Sequence, residues 1–162
     1  MKSIILVRHG KSSWEYDVSD TFRPLKNVGI SNTKKVVKKF QEVSNIVPEA
    51  VFSSHAKRAL DTARIFVENS KIKLPEIQIK EQLYDFGGSQ LVHFIKGLDD
   101  NIDTVLIFGH NNAFTNFANA YGSETIVNVP TSGLVHIDVE IDCWSSLQTG
   151  ITILTLFPKY LD

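Results

Sequence analysis

Short apolar runs alternate along this chain with stretches of helical period. Ser3 to Val7 is a strand-length run rich in branched side chains, the pattern of a strand buried on both faces. Ile30 to Val43 predicts a helix, because Ile30, Val36, Val37, Phe40 and Val43 recur at helical spacing. Lys34, Lys35, Lys38 and Lys39 fall on its other side and read as a solvated face. Ala50 to Phe52 predicts a second strand. The helix after it starts at about Ala56, with Ala59, Leu60, Ala63, Phe66 and Val67 inward and Ser53 or Ser54 as its N-cap. Ile77 to Ile79 is a candidate third strand, and Gln90 to Leu98 predicts a helix capped by Ser89, with Leu91, Ile95 and Leu98 inward. Thr104 to Phe108 is another buried strand, and the helix that follows runs through Phe114, Phe117 and Tyr121 to Gly122. Leu134 to Ile141 and Ile151 to Phe157 predict two strands with no helix between them. Asp142, Ser145, Ser146 and Gly150 mark their connection as a turn, so the pair is expected to form a hairpin.

This order predicts a three-layer α/β fold: a mostly parallel central sheet, helices on both faces, and a C-terminal hairpin. The 162 residues suit a single domain spanning 1–162, and no repeat or low-complexity stretch divides them. With 43% hydrophobic and 22% charged residues the composition is that of an ordinary globular protein. The formal net charge of -1 gives no overall pull towards nucleic acid or an anionic membrane, so an anion site must be built from a few placed cations. Cys143 is the single cysteine, which excludes an internal disulfide and a Cys-rich zinc site and fits a reducing compartment. The N-terminal apolar run ends at Arg8, too short for a signal-peptide core or a membrane span. The cytoplasm is the expected location.

Ligands in such folds bind beyond the carboxyl ends of the strands. The first strand exit carries Arg8, His9, Gly10 and Lys11. The second carries Ser53, Ser54 and His55, then Lys57 and Arg58. A later one carries Gly109, His110 and Asn111. Arginine suits a phosphoryl group because its planar fork donates two parallel charge-assisted hydrogen bonds. Histidine offers a nucleophilic nitrogen or a proton donor near neutral pH. Read alone, Arg58 also fits a surface arginine paired with Asp61 or Glu68, and His110 a structural histidine. Their shared position at strand exits is what favours a common site. His93 lies inside a predicted helix and His136 inside a strand, so both read as structural, and His55 reads as a rim residue.

Leu6-Val7-Arg8-His9-Gly10-Lys11-Ser12-Ser13-Trp14 resembles the signature of the histidine phosphatase superfamily, in its phosphoglycerate-mutase-like branch. Ser53-Ser54-His55-Ala56-Lys57-Arg58-Ala59-Leu60-Asp61-Thr62-Ala63 is similar to its second motif, and Gly109-His110-Asn111 to its third. Arg23-Pro24-Leu25 with Gly29, Leu83-Tyr84, Thr131-Ser132-Gly133 and the compact length resemble the short SixA-type phosphohistidine phosphatases. The resemblance runs from Ile4 to about Leu156 and implies that His9 takes the phosphoryl group, to be freed by water. It implies further that Arg8 and Arg58 hold the phosphoryl oxygens and His110 donates to the growing charge. Arg23, Lys11 and Ser12 are implied as additional substrate contacts. Neither a metal nor a cofactor is expected, since the arginines already neutralise the phosphate.

Many members of this superfamily use a carboxyl group between the second and third motifs to protonate an alkoxide leaving group. Here Glu81 and Asp85 are the candidates, though neither sits in a clear match to that motif, and both also read as surface carboxylates. A phosphoramidate nitrogen leaves without such help more readily than an alkoxide. The expected substrate is therefore phosphohistidine in a protein, such as a histidine phosphotransfer domain. Two alternatives stand beside it: a phosphatase of small phosphate esters with Glu81 or Asp85 as acid, and a phosphoprotein-binding module without turnover. A mutase fits less well with so short a chain.

Overall fold

The computed structural model describes residues 1–161. One sheet contains β1 (Lys2–Arg8), β2 (Ala50–Ser53), β3 (Ile77–Ile79), β4 (Thr104–Gly109), β5 (Leu134–Val139) and β6 (Ile151–Leu156), in the order β3-β2-β4-β1-β5-β6. The first four strands run parallel, and the β5–β6 hairpin joins β1 antiparallel. The helices are α1 (Asn27–Val43), α2 (Lys57–Glu68), α3 (Ser89–Lys96) and α4 (Ala113–Tyr121). The mostly parallel sheet and the terminal hairpin agree with the expectation from sequence.

The unbroken apolar runs follow from burial on both faces. Ile4 and Leu6 of β1 and Val105 and Ile107 of β4 pack with α3 and α4 in one core. Their neighbours Ile5, Val7, Leu106 and Phe108 pack with α1 and α2 in the other. All eight are fully buried, and each such side chain stabilises the fold by about 1.5–3 kcal/mol.

Several boundaries differ from the sequence reading. Helix α1 starts at Asn27 rather than Ile30, and Val43 in its last turn is 49% exposed. Helix α2 has Ala56 at its N-cap, because the Ser54 hydroxyl is turned towards His110 and meets only the Ala56 N–H. Ser89 is the first residue of α3 rather than its cap. Gly88 holds that position at φ 114°, and the Asp85 carboxylate accepts the N–H groups of Gly87, Gly88 and Leu91. The hairpin connection is more than a polar turn. Its short 3-10 helix, Trp144–Ser146, buries Trp144 completely, with the indole N–H donating to the Ile102 carbonyl oxygen.

The loop after β1 is pinned to the start of α1. Lys26 N–H donates to the Lys11 carbonyl oxygen and Ser13 N–H to that of Pro24, each at 2.8 Å, and Ser12 pairs with Leu25 as an isolated bridge. Gly29 allows this close approach, since a Cβ there would collide with the Lys11 carbonyl oxygen and lie 2.8 Å from its nitrogen. Gly29→Ala is expected to lower stability by about 1–3 kcal/mol. Ser31→Ala, on the exposed side of the same helix, should change it by less than about 0.5 kcal/mol. Urea unfolding of the two variants checks this.

Candidate active site

Three adjacent parallel strands end level with one another: Arg8 lies opposite Gly109, and Ser53 opposite Phe108. The backbone continues the ladder past these ends. His9 N–H donates to the Gly109 carbonyl oxygen and Ser54 N–H to that of Phe108, both at 3.1 Å. Ser132, buried at φ 62°, donates its N–H to the His9 carbonyl oxygen at 3.0 Å. Backbone pairing on both sides therefore fixes His9.

The His9 ring is oriented by its own loop. Nδ1 lies 2.7 Å from the Gly10 carbonyl oxygen, which only accepts, so Nδ1 carries the proton. Nε2 is left with its lone pair, and the Arg58 Nε–H points at it from 3.4 Å. The His110 ring lies beside it at 5.3 Å between centroids, with Tyr84 and Phe86 packed against its other sides at 5.2 and 4.9 Å. His110 Nε2 is 2.8 Å from the Ser54 hydroxyl. A proton donated by that hydroxyl leaves His110 with its N–H on Nδ1. Both His110 Nδ1 and Arg8 Nε are buried and have no hydrogen-bond partner among the described residues. A buried donor in this condition is suited to an anionic ligand. Arg8 Nη1 is held by the Val129 carbonyl oxygen at 2.9 Å.

Arg58 leaves α2 in its first turn and is only 1% exposed. One turn later, Thr62 accepts the Gly10 N–H at 2.9 Å and donates to the Arg58 carbonyl oxygen at 2.7 Å. It locks the helix onto the His9 loop. Burial, and then the positive charge of Arg58, Arg8 and Arg23, lower the imidazole pKa of His9 to about 3, while the bond to Gly10 works in the other direction. Burial and the charges of His9 and Arg58 likewise lower His110 to about 2. Burial, then Arg58, also lowers the guanidinium pKa of Arg8.

The structure brings Arg8, His9, Arg58 and His110 together. Arg23 lies at the edge of this group, buried under the Trp14 ring at 3.5 Å, with Nη1 donating to the Ser12 hydroxyl. Ser12 thus meets the site through Arg23, and Lys11 is exposed. Arg58 pairs with Asp20; Asp61 instead meets Lys57 and Arg64. His93 is exposed in α3, His136 is buried in β5 against Asp138 at 2.7 Å, and exposed His55 stacks on Tyr84 at 4.9 Å. Glu81 is exposed, and Asp85 is engaged at the start of α3. Sequence reasoning missed Asp20, whose carboxylate receives Arg58, Arg23 and the Tyr84 hydroxyl. Partial burial raises its pKa, but those three donors outweigh burial and hold it at about 2. The single sequence signal was its position three residues before Arg23.

Among the described residues no group of three or more His, Cys, Asp or Glu is placed to hold a metal ion, and no helix is long and apolar enough to cross a membrane.

The family model described as histidine phosphatase superfamily (branch 1) matches residues 4–91. No curated protein matches in sequence. Among solved structures, the protein histidine phosphatase SixA complexed with tungstate is similar at 18% identity and TM-score 0.77, over 97% of each chain. SixA from Agrobacterium tumefaciens is similar at 20% identity and TM-score 0.78, over 96% of this chain and 97% of that one. The alpha-ribazole phosphatase from Shigella flexneri is 18% identical at TM-score 0.65, over 87% of this chain and 92% of that one. At such identities the likeness is one of fold.

Two buried neutral histidines make stability depend on pH with a definite sign. Their folded pKa values lie below the ordinary 6.5, so the unfolded chain binds more protons between about pH 3 and 6.5. Stability is expected to fall as pH drops through that window, by up to about 1.4 kcal/mol per pH unit for each histidine. Asp20, lowered from 3.8, adds its own loss only below about pH 4. Urea unfolding between pH 6.5 and 4.5 should give a shallower slope for His110→Asn than for the unaltered protein. The ring NMR signals of His9 and His110 should stay constant between pH 5 and 8.

Proposed function

The chain belongs to branch 1 of the histidine phosphatase superfamily, and from that premise we propose that residues 1–162 form a single-domain, metal-independent phosphatase. It takes a phosphoryl group onto His9 Nε2, and it acts on phosphohistidine in a protein such as a histidine phosphotransfer domain. The observation that carries this reading is the His9 ring, protonated at Nδ1 by its bond to Gly10, with the Nε2 lone pair facing Arg58.

In the first step His9 Nε2 attacks phosphorus, and the bond from phosphorus to the substrate nitrogen breaks. In the second, water attacks phosphorus, the bond to Nε2 breaks, and inorganic phosphate departs with release of a proton. Arg8 and Arg58 receive the phosphoryl oxygens, and His110 Nδ1–H donates to the charge that grows on them. Preorganised donors of this kind are worth about 3 kcal/mol each. Arg23 adds positive charge at the edge; Lys11 and Ser12 are left to contacts further along the substrate. No metal or cofactor enters, and the enzyme works in the cytoplasm.

The choice of substrate rests on the leaving group. An imidazole protonated on its second nitrogen leaves as the neutral ring and needs no proton from the enzyme. An alkoxide does need one. Asp85, which accepts three backbone N–H groups, and exposed Glu81 supply no evident donor beside His9. A binding module would have no use for a nucleophile kept neutral beside three arginines.

Brief exposure to radiolabelled phosphohistidine protein should leave acid-labile label on the wild-type enzyme and none on His9→Ala. Arg58→Ala and His110→Ala should each lower kcat by about 10²–10³-fold. EDTA should leave the rate unchanged. Absence of label, with hydrolysis intact in His9→Ala, would remove the nucleophile. A parallel panel of alkyl phosphates decides the substrate: turnover of these, lost in Asp85→Asn or Glu81→Gln, would favour the small-ester reading.

A further inference from the structure

One carboxylate stands against the arginines of this site. Asp20 Oδ2 accepts Arg58 Nη2 at 2.9 Å and the Tyr84 hydroxyl, and Oδ1 accepts Arg23 Nε at 3.1 Å. The Asp20 carbonyl oxygen accepts Arg58 Nη1 at 2.7 Å. One residue thus engages both outer nitrogens of Arg58, whose remaining nitrogen faces His9. A guanidinium fork serves a carboxylate or a phosphoryl group with the same N–H donors. A phosphoryl group in reach of His9 Nε2 needs those donors, and its charge repels the carboxylate.

What holds Asp20 there is mostly this set of polar contacts. It begins a 3-10 turn, Asp20–Phe22, that has no buried residue, and positions 14–19 before it are all exposed. Little packing would be lost if the turn shifted. The same segment displays Trp14 at 76% exposure and Phe22 at 65%, together with Tyr16.

We infer that Asp20 is a specificity-determining residue: a tethered carboxylate that competes with the phosphoryl group for Arg58 and Arg23. Inorganic phosphate and small phosphate esters must displace it with the phosphoryl group alone. A phosphorylated protein can offset that cost with contacts to the surrounding surface, since remote binding energy can be spent at the reacting centre. The preference for protein over small ester rests on the substrate reading proposed above. The competition itself does not.

Asp20→Asn and Asp20→Ala, both on a turn with no buried residue, test this. Calorimetric titration with inorganic phosphate should give at least fivefold tighter binding in both variants than in wild type. KM for p-nitrophenyl phosphate should fall in parallel. KM for a phosphohistidine protein should move less than twofold, so the discrimination narrows. Unchanged or weaker phosphate binding in both variants would overturn the inference, because Asp20 would then orient Arg58 rather than compete for it. A collapse of kcat on p-nitrophenyl phosphate, whose leaving group needs no proton, would overturn it too. Phosphate binding is read without any substrate. A wild-type enzyme inert towards phosphohistidine protein would therefore defeat the substrate reading, and the phosphate titration would still decide the competition.

Discussion

The hydrogen bond from His9 Nδ1 to the Gly10 carbonyl oxygen decides what the rest of the pocket can do. It places the single proton of a neutral imidazole on one side and leaves the lone pair on the other. Without it the ring could turn or exchange tautomers, and the Arg58 Nε–H would face a proton rather than a base. The bond in turn requires a loop that doubles back beside β1. That loop is held by the Gly10–Gly29 approach, by Thr62 beneath Gly10, and by Ser132 on the His9 carbonyl. Three separate parts of the chain converge to fix one imidazole proton.

Positive charge is the second constraint, and it follows from the first. Burial first, and then the charges of Arg58, Arg8 and Arg23, disfavour a second proton on His9. The ring remains neutral across the physiological range at the cost of concentrating cations around it. Arg58 is almost wholly buried, a placement that is expensive without a counter-ion. Asp20 supplies the countercharge from a weakly packed turn, and Tyr84 and Arg23 steady it. The pocket is thus stable as a cation cluster because an anion of its own stands within it.

Arg8, His9, Arg58 and His110 were legible in the sequence because each follows an apolar run that reads as a buried strand, or opens the helix after one. The topology then brings β2, β4 and β1 side by side, so residues distant in sequence become neighbours. Asp20 and Tyr84 were not legible as partners: 64 positions separate them, and no periodicity marks either. The misread caps of α2 and α3 have a common physical source. A serine before a helix is a natural cap, yet Ser54 is drawn away by His110, and the Asp85 carboxylate takes over what Ser89 was expected to do. Local preference yields wherever a tertiary partner competes for the same oxygen. Trp144 was hidden for another reason: among serines and an aspartate it looks like part of a turn, and only the neighbouring core explains its burial.

Competition for a single oxygen also bears on the chemistry. A carboxylate that accepts three backbone N–H groups at the start of a helix is tied to the fold. Such a group is badly placed to deliver a proton to a leaving group. Asp85 has this engagement at α3 even though its neighbours Tyr84 and Phe86 pack directly on His110. This segment thus contributes aromatic faces to His110 and commits its carboxylate to capping. On the proposed reading, the limit on the leaving group is built in at this point: the helix start and the acid require the same side chain, and the helix start holds it.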